Sequence, residues 1–234
     1  MTGAAAASID FFGCAGDYRE LAGSIHRCVE EVLGSGQVLQ GPAVEHFETA
    51  VARHSGRRHA VAVGSGTDAL FFALVALGIG PGDEVLVPDV TFLASATAIL
   101  RVGARPLFVD VDDSLAIDLE HAVGKLGPAT RAMVVVHLFG AMVDVAGIEA
   151  FARQHGLALV EDFAQSFGAS RDGRKAGSMG EVGATSFDPT KVLGAPGSGG
   201  ALVTDDEEIA RRARRLRLHG KEGPAFLEPG YNSQ

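Results

Sequence analysis

Residues 59–78, HAVAVGSGTDALFFALVALG, decide the fold, because they change from a strand pattern to a helix pattern across one turn. The valine-rich run HAVAV predicts a buried strand, and Leu70, Leu74 and Leu77 share one face of the helix predicted after the turn. Gly78 stands where that helix should end. A strand followed by a crossover helix is typical of a parallel sheet.

The alternation of strand and helix patterns continues along the chain. Further strand-like runs are EVLVP (84–88), RPLFVDV (105–111), RAMVVVH (131–137) and LALVED (157–162), with helical patterns between them. Gly103 and Gly156 mark two more helix ends. This order predicts an α/β fold, a three-layer sandwich with a mostly parallel sheet that is buried on both faces.

The composition excludes several classes of protein. The 234 residues are 47% apolar and 21% charged, a balance typical of soluble globular proteins, and the net charge of −9 argues against nucleic acid or an anionic membrane as the partner. The only cysteines, Cys14 and Cys28, form no disulfide framework. With no signal-peptide pattern and no long apolar span, we expect a cytoplasmic protein.

The turn GSGTD (64–68) predicts an anion site. In open α/β sheets ligands bind at the carboxyl ends of the strands, and a helix that begins there offers free N–H groups to a phosphate. A plain tight turn, with Ser65 or Thr67 capping the helix, is an equally good interpretation of this stretch alone.

The same turn also fits a looser dinucleotide fingerprint, G-x-G-x-x-A, through Gly64, Gly66 and Ala69. Asp89, after the next strand, would then hold a ribose, and the protein would be a nicotinamide-dependent dehydrogenase. This alternative depends on one short match.

Asp162 ends a strand that is otherwise apolar. Such a carboxylate can cap a helix or pair with a neighbouring side chain. It can also accept a charge-assisted hydrogen bond from a protonated pyridine nitrogen, which keeps the ring of pyridoxal phosphate electron-withdrawing.

Lys191 lies in SFDPTKVLGAPGSGG (186–200), where the proline and glycine content excludes a helix. A solvated loop lysine is the simplest explanation for Lys191 alone. Pyridoxal phosphate, however, needs a lysine amine, an acid at its ring nitrogen and a phosphate cradle, and Lys191, Asp162 and the GSGTD turn provide all three. Ser186 adds a hydroxyl for the phosphate. The dehydrogenase alternative leaves Lys191 and Asp162 without roles.

The chain resembles the DegT/DnrJ/EryC1/StrS family of sugar aminotransferases, which are fold-type-I pyridoxal phosphate enzymes. The matching motifs, in order, are GSGQVLQGPAVEHFE, HAVAVGSGTDAL, GIGPGDEVLVPDVTF, VEDFAQSFGA, SFDPTKVLG, GGALVTDD, LRLHG and GYNS. The resemblance implies the large domain of such an enzyme and a homodimer with a shared active site. It also implies transfer of an amino group from a donor such as glutamate to a keto sugar carried on a nucleotide.

The resemblance assigns roles at matching positions. Lys191 would form the Schiff base and move a proton, Asp162 would bind the pyridinium nitrogen, and Gln165 would contact the phenolic oxygen. Phe92 would stack on the ring. The remaining cofactor contacts would be phosphate ligands, namely Gly66, Thr67 and Ser186 from the same chain and Asn232 from the neighbouring subunit. No metal is expected.

The resemblance also shows departures. Family members often carry an aromatic residue where Asp188 stands, an acid where Ser198 stands, and arginine where Gln234 stands. Family chains continue into a small C-terminal domain, which we expect this chain to lack. We therefore expect a helical segment over 1–55 that packs on a large cofactor-binding domain over 56–234.

Two alternatives within this family stay open. A sister branch removes a hydroxyl group from the sugar and has histidine at the lysine position, so Lys191 favours transamination. A catalytically silent module that keeps the fold is the other.

His137 could lie near the cofactor or be structural, and Asp68 is expected to be a helix residue rather than a ligand. The basic run 211–221 is interpreted as a solvated helix whose Ile209, Ala213 and Leu216 face inward.

Overall fold

The computed structural model describes residues 14–234, in a first unit that ends at Val38 and a second unit, Leu39–Gln234. The first unit contains helix α1 (Cys14–Ser35). The α-helices of the second unit are α2 (Pro42–Ser55), α3 (Gly66–Ala76), α4 (Leu93–Arg101), α5 (Leu119–Lys125), α6 (Val145–His155) and α7 (Glu207–Arg217), and a 3-10 turn spans Leu138–Gly140. Among residues 14–234, no helix is both long and apolar enough to cross a membrane.

Seven strands of the second unit form one sheet. They are β1 (His59–Val63), β2 (Glu84–Pro88), β3 (Arg105–Val109), β4 (Thr130–Val136), β5 (Ala158–Asp162), β8 (Val182–Ser186) and β9 (Gly200–Thr204). Two short hairpins lie outside the sheet, formed by β6 (Ser170–Arg171) with β7 (Arg174–Lys175) and by β10 (Lys221–Glu222) with β11 (Ala225–Phe226).

The strand order is β1-β9-β8-β5-β4-β2-β3, and the pairs from β8 to β3 are parallel. Only β9 runs against its neighbours, β1 and β8. The prediction of a mostly parallel sheet is therefore confirmed. Because β1, β4, β5 and β8 all point the same way, their carboxyl ends meet at one edge of the sheet.

Apolar side chains alternate between the two faces of the sheet. Val85 and Val87 belong to a cluster with α3, α4 and α7, whereas Leu86 between them belongs to a cluster with α5 and α6. The same alternation along β4 and β5 buries both faces. Helices therefore cover the sheet on both sides, which is the predicted three-layer sandwich.

The predicted helix ends are confirmed. Gly78, Gly103 and Gly156 follow α3, α4 and α6 in the left-handed region, where glycine carries no steric penalty. Helix α7 has acidic residues in its first turn and arginines in its last, an order that suits the helix dipole. Ile209, Ala213 and Leu216 are buried, as predicted, together with Ala210. Arg217 is also buried and the helix ends there, so the prediction of a solvated helix over 211–221 is only partly correct.

The second unit begins at Leu39 and therefore includes α2 together with the predicted large domain. Helix α2 packs against β1 and β9, and its Val51 and Ala52 are buried in a cluster with Phe163 and Phe187. That the whole segment 1–55 packs as one element on 56–234 stays a prediction.

Candidate functional site

A cleft of about 320 Å³ opens at the edge of the sheet where the parallel strands end. It brings together seven of the eight predicted site residues, with Asn232 as the exception. The seven are Gly66, Thr67, Phe92, Asp162, Gln165, Ser186 and Lys191. These residues come from four separate segments of the chain, so the sheet assembles the site.

The GSGTD turn forms one wall of the cleft. Ser65 caps α3 by accepting a hydrogen bond from the N–H of Asp68 at 3.1 Å, which confirms one of the two capping possibilities. The N–H groups of Gly66 and Thr67 open the helix, where helix geometry supplies no acceptor, and both residues line the cleft. This wall is therefore suited to an anion.

Two close approaches set the position of this turn. A Cβ on Gly66 would lie 2.7 Å from the Cβ of Ser186, and a Cβ on Gly200 would lie 2.3 Å from the carbonyl carbon and oxygen of Ser65. Gly200 is paired with Val63 and with Ser186 in the sheet. The turn thus rests directly on the ends of β8 and β9.

Asp162 ends β5 on the floor of the cleft and is only 6% exposed. Its Oδ2 accepts a hydrogen bond from the Ser95 hydroxyl at 3.0 Å, and its Oδ1 accepts one from the N–H of Ala164 at 3.1 Å. Burial raises the pKa of Asp162, and these two hydrogen bonds and the positive charge of Lys191 oppose that rise. A cation placed in the cleft would favour the ionised form further.

Sequence reasoning missed the support behind Asp162. The hydroxyl groups of Thr91 and Ser95 lie 2.9 Å apart, and since Ser95 donates to Asp162, Thr91 donates to Ser95. Ser95 is fully buried in the first turn of α4. The stretch PDVTF marks the strand end where this pair begins, but no local pattern pairs Ser95 with a residue 67 positions away.

A tight turn presents Lys191. The N–H of Lys191 donates to the carbonyl of Asp188 at 2.9 Å, with Pro189 at the position where a β-turn favours proline. The Asp188 carboxylate accepts from the N–H and the hydroxyl of Thr190 at 2.9 and 2.6 Å, and the hydroxyl bond is the main cause of its lowered pKa. The turn places Lys191 in the lining of the cleft, where it is only partly exposed to solvent.

Phe92 and Gln165, two of the predicted site residues, line the cleft, and their predicted contacts with the cofactor stay predictions. The Nζ of Lys191 is 5.6 Å from the centre of the Phe92 ring, which is 63% exposed. The Oε1 of Gln165 accepts a hydrogen bond from the N–H of Phe139 at 2.8 Å, so its NH₂ group is the end that remains for a ligand. Phe139 itself has a φ of 54°, an uncommon value for a residue other than glycine.

Asn232 lies outside the lining of the cleft. It is exposed and forms a β-bridge with Leu218, and the Gln234 side-chain amide donates to its Oδ1 at 3.4 Å. Its position on this chain is compatible with a contact to another subunit, and that role stays a prediction.

Three other residues considered from the sequence do not line the cleft. His137 is fully buried, and its Nε2 lies 2.7 Å from Oε1 of the buried Glu161. Asp68 sits in the first turn of α3, where its carboxylate binds Arg101 and Ser233. Asp89, which the dinucleotide alternative requires, is exposed and is not one of the residues that line the cleft.

Comparison with known proteins identifies relatives. The family model described as the DegT/DnrJ/EryC1/StrS aminotransferase family matches residues 20–233. A dTDP-3-amino-3,4,6-trideoxy-alpha-D-glucose transaminase from Micromonospora megalomicea subsp. nigra is 45% identical over 221 residues, which are 93% of this chain. The chain spans 59% of the length of that curated relative, less than two thirds.

Solved structures share the fold. The crystal structure of S. venezuelae DesV in complex with a ketimine intermediate matches with a TM-score of 0.95 and 41% identity, over 98% of this chain and 62% of that one. Bacillus subtilis NtdA, solved with bound cofactor PMP, matches with a TM-score of 0.85 and 32% identity, over 92% of this chain and 50% of that one. With a family model that covers most of its length and relatives of this similarity, the chain belongs to the DegT/DnrJ/EryC1/StrS aminotransferase family.

Proposed function

We propose that this chain is the cofactor-binding part of a pyridoxal phosphate-dependent aminotransferase. The observation that carries the proposal is a single cleft lined by Lys191, by the buried Asp162 and by the opening N–H groups of α3. Those are the amine, the acid and the anion site that pyridoxal phosphate needs.

The residues of the cleft fit this cofactor. The wall at Gly66 and Thr67 offers two backbone N–H groups and the hydroxyl groups of Thr67 and Ser186 to a phosphate. Asp162 is buried at a cost to its charged form, and a protonated ring nitrogen offsets that cost. Phe92 offers an exposed aromatic face close to Lys191.

The roles we propose for the side chains agree with their contacts. When bound, pyridoxal phosphate withdraws electrons from the bond that must lose a proton. Asp162, oriented by Ser95 and Ala164, holds the proton on the pyridine nitrogen. Lys191 would hold the cofactor through its amine and would carry the proton between Cα of the amino donor and C4′ of the cofactor. Gln165, turned by Phe139, donates to the phenolic oxygen.

For the substrates, we propose an amino donor such as glutamate and a keto sugar linked to a nucleoside diphosphate as the acceptor. The name of the Micromonospora relative supports this acceptor class. We also propose a homodimer in which Asn232 reaches the phosphate of the partner. Its exposure on its own chain, outside its own cleft, supports this arrangement.

The first test is covalent labelling. The chain mixed with pyridoxal phosphate should turn yellow, borohydride should remove the colour, and peptide mapping should find the label on Lys191. Label on Lys175 or Lys125 instead would contradict the assignment of Lys191.

The second test is the reaction. The product formed from glutamate and a keto sugar nucleotide should carry a new amino group. Loss of a sugar hydroxyl without gain of nitrogen would favour the dehydratase alternative. Labelling of Lys191 with no turnover of any donor or acceptor would favour a silent module.

A further inference from the structure

We propose that Ser233 and Ser198 together hold the phosphate-binding turn of their own chain by clamping the peptide of Gly64, and that Ser233 is therefore a positioning residue for the cofactor phosphate. The inference rests on the proposed function of the cleft. Neither serine is one of the residues to which the sequence resemblance assigns a role.

The two hydroxyl groups bind opposite ends of the same residue. The N–H of Gly64 donates to Oγ of Ser233 at 2.9 Å, and the Ser198 hydroxyl donates to the carbonyl of Gly64 at 3.1 Å. Gly64 is the first residue of the GSGTD turn and immediately precedes the N-cap of α3. The clamp therefore acts directly before the N–H groups that face the anion site.

Ser233 is buried and binds two residues of the turn. It is 5% exposed, and while its Oγ accepts from Gly64, its own hydroxyl donates to Oδ2 of Asp68 at 2.6 Å. The other carboxylate oxygen of Asp68 binds Arg101 at 2.5 Å. A carboxylate in the first turn of a phosphate-binding helix would repel the phosphate, and these two partners hold its charge toward Arg101 instead.

The segment that carries Ser233 is anchored on α3 by a second contact. The Tyr231 ring packs edge-on against Phe71, with ring centres 4.9 Å apart, and the Arg101 guanidinium lies 4.0 Å over the Phe71 ring. The N–H of Ser233 donates to the carbonyl of Arg217 at 3.0 Å. Because both its side chain and its backbone are held, Ser233 can transmit a fixed position to the turn.

Each of the two serines links the turn to another part of the site. Ser198 belongs to the loop that carries Lys191, so it ties the anion wall to the lysine. Ser233 follows Asn232, the residue proposed to serve the partner subunit. The clamp thus sets the spacing between the phosphate, the lysine and the subunit contact.

The experiment compares two ligands that differ only by the phosphate. Ser233→Ala is titrated with pyridoxal 5′-phosphate and with pyridoxal, beside wild type and the matched control Ser170→Ala, whose serine is exposed on β6. Loss of the two hydrogen bonds that Ser233 makes to the turn, one from the N–H of Gly64 and one to the carboxylate of Asp68, should weaken binding of pyridoxal 5′-phosphate by about tenfold, or about 1.4 kcal/mol. Binding of pyridoxal should stay unchanged, and Ser170→Ala should match wild type with both ligands.

A purely structural role for Ser233 predicts a different result. General destabilisation would weaken binding of both ligands equally, and an idle side chain would weaken neither; each result overturns the clamp. Amide hydrogen exchange supplies a direct measure, because exchange at Gly64 should become faster in Ser233→Ala and stay slow in Ser170→Ala.

Two further outcomes also decide the matter, namely a Ser233→Ala variant that does not fold and a wild-type chain that binds no phosphate-bearing ligand. If Ser233→Ala does not fold, Ser198→Ala replaces it, because Ser198 is exposed and its loss leaves the buried network intact; it must show the same selective loss of affinity for the phosphorylated ligand. A wild-type chain that binds neither pyridoxal 5′-phosphate nor inorganic phosphate overturns the proposed function, and the clamp with it. Normal wild-type binding with no selective effect in the variants overturns the clamp alone.

Discussion

Replacing Gly200 by alanine tests how closely the anion wall depends on the sheet beneath it. The new Cβ would lie 2.3 Å from the carbonyl carbon and oxygen of Ser65 and 2.6 Å from the nitrogen of Gly66. Ordinary carbon contacts are about 3.5–4.0 Å, so the turn must retreat by about 1 Å. Since Gly200 does not have a positive φ, the effect of alanine is steric rather than conformational.

A retreat of this size is enough to break hydrogen bonds from the turn. An N–H···O bond of about 2.9 Å that lengthens by about 1 Å no longer counts as a hydrogen bond. Two bonds to a charged phosphate, each contributing about 1.5–3 kcal/mol, would be lost from Gly66 and Thr67. We therefore expect pyridoxal 5′-phosphate to bind at least about a hundredfold more weakly. Overpacking should also lower the free energy of unfolding by about 1–3 kcal/mol.

The neighbouring glycine supplies the control. A Cβ on Gly199 would meet Phe187 at 3.6 Å, an ordinary contact, and Gly199 likewise does not have a positive φ. The assay is fluorescence or absorbance titration of Gly200→Ala and Gly199→Ala with pyridoxal 5′-phosphate and with pyridoxal, together with urea unfolding. Equal affinities of the two variants for pyridoxal 5′-phosphate would refute the reasoning, because the phosphate site would then not depend on the packing of Gly200 against Ser65.

The remaining predictions concern single side chains. Lys191→Ala should abolish borohydride-stable labelling by pyridoxal phosphate, while Lys175→Ala, at an exposed position on β7, should label as wild type does; labelling that survives in Lys191→Ala would show that another amine holds the cofactor. Asp162→Asn should keep the fold but lose about 3 kcal/mol of transition-state stabilisation. The half-reaction with glutamate, measured under single-turnover conditions, should therefore be about a hundredfold slower. A near-normal rate would leave Asp162 with a structural role only. Burial raises the pKa of Asp162 above its ordinary 3.8, so without cofactor its contribution to stability is complete below that value and is lost as the pH rises through the raised pKa. The unfolding free energy of wild type minus that of Asp162→Asn should therefore fall with pH from about 4 upward, by at most about 1.4 kcal/mol per pH unit in urea titrations, and a difference that does not change with pH would contradict this account. Asp206→Ala removes the N-cap that accepts from Glu208 and Ile209 and should lower the unfolding free energy by about 1 kcal/mol with no change in cofactor affinity; an altered affinity would mean that α7 is coupled to the cleft.

The sequence alone determined the local elements of this protein. The valine-rich run before GSGTD and the leucine spacing after it predict β1, the turn and α3, because each depends only on neighbours within a few residues. The same holds for Asp162 at the end of an apolar strand and for Lys191 on a proline turn. Parallel strands end at a common edge, so the meeting of these residues in one cleft followed from the alternation of strands and helices.

The tertiary structure decided the contacts that hold those residues in place. The reversed direction of β9 brings Gly200 against Ser65, and no local pattern in GGALVT states that direction. Ser95 supports Asp162 across 67 positions, and Ser233 binds Gly64 across 169. Hydrophobic periodicity records which face of an element is buried but not which partner covers it. Partners this distant in the sequence are chosen by the strand order and the packing of the whole sheet.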